Sequence, residues 1–96
     1  MNVRLTSAAY RELAAAAEYY EDQQAGLADR FLAAVAEAME RIARHPETWV
    51  HVSPRVQRCL VHRFPFALLY HVSSEDIQIV AVADLRRDPA HWAELL

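Results

Sequence analysis

HRFPFALLYHV, residues His62 to Val72, is apolar on both faces, breaks at Ser73-Ser74-Glu75-Asp76 and resumes as IQIVAVADLRRDPAHW from Ile77 to Trp92. Short apolar runs on either side of a polar turn are the pattern of two buried strands joined as an antiparallel pair. Such a pair fixes the middle of a sheet, and the rest of the chain must cover it. It also delivers Arg86, Arg87, His91 and Trp92 to its outgoing end. With 96 residues available, the cover belongs to the same domain. A chain this short buries roughly 60 to 70% of its unfolded surface around one core, so a single domain over residues 1–96 is expected.

Two helices are predicted to supply the cover. Asn2–Leu5 reads as a short strand, and Thr6 or Ser7 supplies the side-chain oxygen that caps a helix start. Ala9, Leu13, Ala16, Ala17 and Tyr20 then recur at spacings of three and four, placing them on one stripe, while Arg11, Glu12, Glu18 and Glu21 face away. The single glycine, Gly26, stands where a left-handed residue would end that helix. A second helix, Leu27–Arg44, carries Leu27, Phe31, Val35, Met39 and Ile42 on its stripe and stops at His45-Pro46. Ala14, Ala17, Ala34 and Ala38 let the two helices approach as an antiparallel hairpin.

Strands near Val56–Arg63, Phe66–Val72 and Ile77–Ala83 complete the order strand–helix–helix–strand–strand–strand. Pro65 lacks a ladder donor and belongs at a turn or bulge. The expected class is α+β, a helical hairpin on one face of a mostly antiparallel four-stranded sheet. A short C-terminal helix should begin near Pro89. Phe66, Leu68, Tyr70 and Val72 should face the helices, with Ala67, Leu69 and His71 on the other side.

Charge narrows the functional classes. Residues 1–48 hold five arginines and eight acids, whereas Trp49–Ser74 hold Arg55, Arg58 and Arg63 with His51, His62 and His71 and no acid. The formal net charge of −3 makes the general surface a poor nucleic-acid glove. An acidic partner should therefore meet the acid-free stretch, with Arg55, Arg58, Arg63, Arg86 and Arg87 as its contacts. No apolar run reaches the roughly 20 residues of a membrane span, and the first turns lack a secretory core, so a cytoplasmic protein is expected. The lone Cys59 excludes an internal disulfide and reads as a buried thiol. Neither paired cysteines nor an HExxH spacing is present, so no metal or other cofactor is expected.

For catalysis the candidates are Arg58, Arg86, His62, His71 and Trp92. His62 and His71 fall on adjacent strands and could meet as an acid–base pair. A guanidinium holds an anion but moves no proton, so the arginines need such a partner. The alternative for Arg86 and Arg87 is pairing with Asp84 and Asp88 around the strand end.

Tyr19-Tyr20-Glu21, RFPF, LLYHV and AVADLRRDPAHW together resemble the RelE/ParE family of toxins from bacterial type II toxin–antitoxin modules, and the resemblance spans nearly the whole chain. In the ribosome-dependent mRNA endoribonuclease branch, two strand lysines fall on Arg58 and Leu60. The next strand's arginine falls on Ala67, a later arginine on Arg86 and a C-terminal tyrosine on Trp92. Only the charges at Arg58 and Arg86 remain, which removes most of the phosphate grip and one proton carrier. The ParE-like branch, often described as plasmid stabilisation proteins, fits the quoted motifs better. It implies inhibition of DNA gyrase by binding, with no nuclease residues. Many relatives there carry histidine where Asp84 stands, so an attenuated homologue that binds its antitoxin and tunes their shared operon is a further possibility. The resemblance implies a cognate antitoxin as partner and a hetero-oligomer with it. Gyrase is the leading target, with the ribosome and mRNA as the alternative.

Overall fold

Thr6 both closes the first strand and opens the first helix. Its N–H donates to the Ile79 carbonyl (3.0 Å) and its Oγ1 accepts from the Ala9 N–H (3.2 Å). A computed structural model of the chain describes residues 2–87. Within it the order is β1 (Asn2–Leu5), α1 (Ser7–Gln23), α2 (Leu27–Arg44), β2 (Val50–His51), β3 (Gln57–Leu60), β4 (Phe66–Val72) and β5 (Asp76–Asp84). The expected C-terminal helix, with Pro89, His91 and Trp92, lies outside the described residues.

The sheet runs β1-β5-β4-β3-β2, parallel between β1 and β5 and antiparallel elsewhere. It has five strands rather than four. The extra one, β2, is a two-residue edge in which Val50 sits opposite Arg58, too short to show any alternation in sequence. Strand β3 is also shorter than Val56–Arg63. The chain bends after Leu60 into a turn where Arg63 adopts a left-handed φ of 70°.

Both helices bury the stripes read from their spacing. Ala9, Ala16 and Tyr20 of α1 and Phe31, Val35, Ala38 and Ile42 of α2 join Cys59, Val61, Phe66, Leu68, Tyr70, Ile77, Ile79 and Val82 in one core. Strand β5 keeps Ile77, Ile79 and Val82 on that face despite the change in spacing, because the register shifts between Leu69↔Ala81 and Tyr70↔Ile79. A bulge of this kind adds one residue to one strand and flips the phase that follows. Its result is a second, smaller cluster on the outer face, made by Val56, Leu69, Ala81 and Ala83.

Three polar contacts fix the ends of these layers. The Glu21 carboxylate, in the last turn of α1, accepts from the N–H groups of Gly26 and Ala28 (3.1 Å each). It thereby caps α2, whose own N-cap is a left-handed glycine with no side chain to offer. Arg41 of α2 donates to the Leu60 carbonyl (2.9 Å) and pairs with Glu37 (2.7 Å), and its guanidinium lies 5.6 Å from the Trp49 ring centroid. Buried Gln57 donates to the carbonyls of Pro46 (2.8 Å) and Trp49 (3.0 Å), and the Tyr70 hydroxyl donates to Pro46 as well (2.6 Å). The loop between α2 and β3 is thus pinned by three hydrogen bonds to two of its carbonyls, although its composition alone reads as irregular.

Candidate functional site

Three of the quoted motifs converge at one end of the sheet. The Leu85 N–H donates to the Pro65 carbonyl (2.8 Å), joining the outgoing end of β5 to the β3–β4 turn. Tyr20 reaches the same corner from α1, with its ring 5.0 Å from Phe64, 5.1 Å from Phe31 and 6.1 Å from Phe66. Tilted and edge-on aromatic packing of this kind adds roughly 0.5–1.5 kcal/mol per pair beyond area burial. Burial pushes the Tyr20 hydroxyl upward in pKa against the opposing pull of Arg86, and among the described residues its oxygen has no hydrogen-bond partner.

Above this aromatic floor, Arg86 is held on three sides. Its Nε and Nη2 donate to the two oxygens of Asp84 (3.0 and 2.9 Å), and its backbone N–H donates to Asp84 Oδ1 (3.0 Å). Its guanidinium carbon stands 5.6 Å from the Tyr19 ring centroid and 5.9 Å from that of Phe66. The Arg86 side-chain hydrogen bonds hold the Asp84 carboxyl below its ordinary 3.8, against partial burial, and they raise Arg86 in turn. Glu12, Ala15, Ala16 and Tyr19 of α1 face Val82–Asp84 and Arg86–Arg87 across a groove of about 370 Å³. Internal pairing of Arg86 with Asp84 is therefore what the chain adopts.

The other candidates are spread rather than gathered. Arg58, half-buried, lies on the outer face opposite Leu69 and Val50, whereas Arg86 leans over Tyr19 and Phe66 on the helix side. Arg63 is exposed in the β3–β4 turn, and Arg55 is exposed in the loop before β3. Arg87 is exposed beside Arg86, and its N–H donates to the Asp84 carbonyl (3.1 Å). Trp92 lies outside the described residues.

His62 and His71 do not meet. His62 sits in the turn beyond Leu60, with Nδ1 3.4 Å from Glu37 Oε1, whereas His71 donates through Nδ1 to the Arg55 carbonyl (3.1 Å). The register places them at opposite ends of the β3–β4 pair, Leu60 being opposite Ala67 and Gln57 opposite Tyr70. At about 3.3 Å per residue this separates them by more than ~10 Å along the strand. Strand adjacency was legible in sequence, but the shortening of β3 and the turn at His62-Arg63 were not. The acid-free stretch also gains an acid in space, because Glu37 of α2 reaches His62 and Arg41.

Sequence reasoning missed Glu12 and Glu21, placed on the solvent face by helical spacing, and Arg41, which it left unassigned; all three reach backbone atoms in other elements. The only available signal was a charged residue near a helix end or beside a stripe, which is common to most helices. Among the described residues no group of three histidine, cysteine or acidic side chains is arranged to hold a metal ion. None of the described helices is long and apolar enough to cross a membrane.

The family model described as the ParE toxin of type II toxin–antitoxin system, parDE, matches residues 3–89. Among solved structures, nine chains match. One of them, the chromosomal ParDE TA system from P. aeruginosa, is 21% identical over 88% of this chain and 96% of that chain, with a TM-score of 0.67. At that identity the likeness speaks for the fold, a helical hairpin on a mostly antiparallel sheet. No curated protein matches the chain.

Proposed function

Because the chain belongs to the ParE toxin family of type II toxin–antitoxin systems, we propose that it acts by binding and inhibiting a target, DNA gyrase first, and that it breaks no bonds in RNA. One observation carries this reading. The two cations that the nuclease pattern would retain, Arg58 and Arg86, stand on opposite sides of the sheet, and Arg86 is already forked to Asp84. A phosphate in flight needs convergent donors and a proton carrier within hydrogen-bond reach. Arg86 has Asp84 against it, but that carboxyl is held ionised by the same arginine and is a weak base. His62 and His71 lie at opposite ends of a strand pair, so neither serves both cations.

The antitoxin, in this reading, lies against the helical hairpin and the Arg55–Arg63 segment, forming a hetero-oligomer with the toxin in the cytoplasm. Val50 and Leu60, both largely exposed, flank Arg58 on the outer face. Apolar side chains around a guanidinium suit a segment that alternates apolar and acidic residues and folds on contact. A second reading is favoured by the Asp84–Arg86 fork itself. With that cation neutralised internally, the chain would be an attenuated homologue that binds its antitoxin and tunes their operon.

Induction of the chain without its neighbouring antitoxin gene, with plasmid supercoiling and transcript integrity followed in one culture, tests the proposal. Arrest with altered supercoiling and intact transcripts is expected. Cleaved transcripts within minutes overturn it in favour of the endoribonuclease, and an absence of arrest supports the attenuated form.

A further inference from the structure

Strand β5 is nine residues long, but β1 accompanies it only along Asp76–Ile79. Past Ile79 the chain of β1 has already turned into α1 at Thr6, so among the described residues the edge of β5 has no strand partner there. The bulge falls at the same place, between the pairs Tyr70↔Ile79 and Leu69↔Ala81. Beyond it, Leu85 directs its N–H toward Pro65 on the β4 side. Alternation in an antiparallel ladder then turns the main-chain groups of Val82 and Asp84 the opposite way, toward the vacated edge. An N–H pointing there with no acceptor is destabilising, because it has given up water without gaining a partner.

The acceptor comes from α1. Glu12 reaches across the groove, and its Oε1 takes the Val82 N–H at 2.9 Å, a contact between residues 70 positions apart. Two turns further along the same helix face, Tyr19 lies beneath the Arg86 guanidinium. These two side chains, seven residues apart, hold β5 at its first free amide and just after its last residue. Between them lies Asp84, whose carboxylate fixes Arg86 and whose carbonyl receives the Arg87 N–H.

We propose that Glu12 is a positioning residue, which by capping Val82 sets the direction in which β5 leaves the sheet and so places Arg86 and Arg87 for their partner. The functional half of this inference rests on the toxin reading above; the positioning half rests only on the chain's own geometry. In this proposal Glu12 acts through Val82 and the course of β5, not through a contact of its own with the partner. Its acceptor oxygen matters more than its charge, so glutamine, which keeps an oxygen at that position, should substitute for it. Alanine should not, although alanine is the better helix former at this exposed site.

The test compares Glu12→Ala and Glu12→Gln with the parent chain by amide hydrogen exchange, read residue by residue, and by growth arrest on induction without antitoxin. In Glu12→Ala the Val82 amide should exchange at least about fivefold faster, the factor carried by an ordinary hydrogen bond, charged or not. The amides of Arg86 and Arg87 should follow, while those of Leu68 and Tyr70 stay within about twofold. Arrest should weaken with it, and Glu12→Gln should behave as the parent in both assays. Unchanged exchange at Val82 in Glu12→Ala overturns the proposal. So does equal acceleration across the whole sheet, which would mark Glu12 as a general stabiliser. Full arrest by a Glu12→Ala chain whose exit has loosened overturns its functional half. If the parent chain causes no arrest, the toxin reading fails, and the exchange data still decide the role of Glu12.

Discussion

Replacing Arg41 by alanine should be the most damaging single change at a charged helix position off the apolar stripes. The guanidinium does three things at once: it donates to the Leu60 carbonyl at 2.9 Å, pairs with Glu37 at 2.7 Å and lies 5.6 Å from the Trp49 ring centroid. Leu60 is the last residue of β3, past the point where the two-residue β2 can pair with it, so arginine takes the place of a missing strand. A hydrogen bond from a charged donor is worth about 1.5–3 kcal/mol. The cation–π contact adds about 0.5–1 kcal/mol, and the i,i+4 pair with solvent-exposed Glu37 adds little. With the Arg41 side chain 18% exposed, the sum comes to about 3 kcal/mol. For a domain of this size each kcal/mol moves the midpoint by roughly 4–8 °C, giving a fall of about 12–24 °C in thermal unfolding followed by circular dichroism. Arg41→Lys reaches one acceptor and cannot fork, so it should lose about half as much. The Glu37 share has its own pH signature. Hydrogen bonding to Arg41, the largest influence, holds the Glu37 carboxyl below its ordinary 4.5 against some desolvation. That share is therefore present above 4.5 and fades as pH falls through the lowered value, whereas the Leu60 carbonyl does not titrate. Most of the penalty should survive at about pH 3. An Arg41→Ala midpoint within about 3 °C of the parent would refute the strand-substitute argument.

Replacing Asp84 by histidine should release Arg86 from its fork and strengthen growth arrest, measured as colony formation after induction; equal or weaker arrest counts against Arg86 as a contact. The Asp84 carboxyl is held below 3.8 chiefly by Arg86, so its contribution to stability is present above that value and is lost as pH falls through the lowered one. Asp84→Asn should therefore unfold earlier than the parent at neutral pH and converge with it in acid, as read by urea titration at both. Reversing charge together at Arg58 and Arg63 should weaken the antitoxin complex by about tenfold or more, by calorimetry, if that segment is its seat. Cys59 is fully buried and burial pushes its thiol above the ordinary 9.0, with Arg41 opposing. A thiol reagent at about pH 8 should leave it unmodified in the folded chain and modify it fully in denaturant.

The parts of this fold that repeat were readable in advance. Helix α2 spans Leu27–Arg44 and β4 spans Phe66–Val72, as their periodicity and breakers indicate. The helix-facing side of β4 follows from alternation alone. What resisted reading was whatever depends on a partner distant in sequence. Strand β2 exists because Gln57, Tyr70 and Arg41 immobilise a loop, and none of those bonds leaves a periodic trace. The bulge in β5 needed the register with β4 to become visible. The same divide runs through the site. Arg86 pairing with Asp84 is a contact across two positions and was weighed from sequence, but the separation of His62 from His71 turned on where a strand ends. Glu12 reaching Val82 spans 70 positions and had no sequence signature.

Purified gyrase provides the most direct measurement of the central claim, that this chain binds and inhibits and does not cut. The chain is titrated into a supercoiling reaction, and the same preparation is incubated with translating ribosomes and labelled mRNA. Loss of supercoiling activity with the message intact is the predicted result. Cleaved message beside an undisturbed gyrase would contradict it.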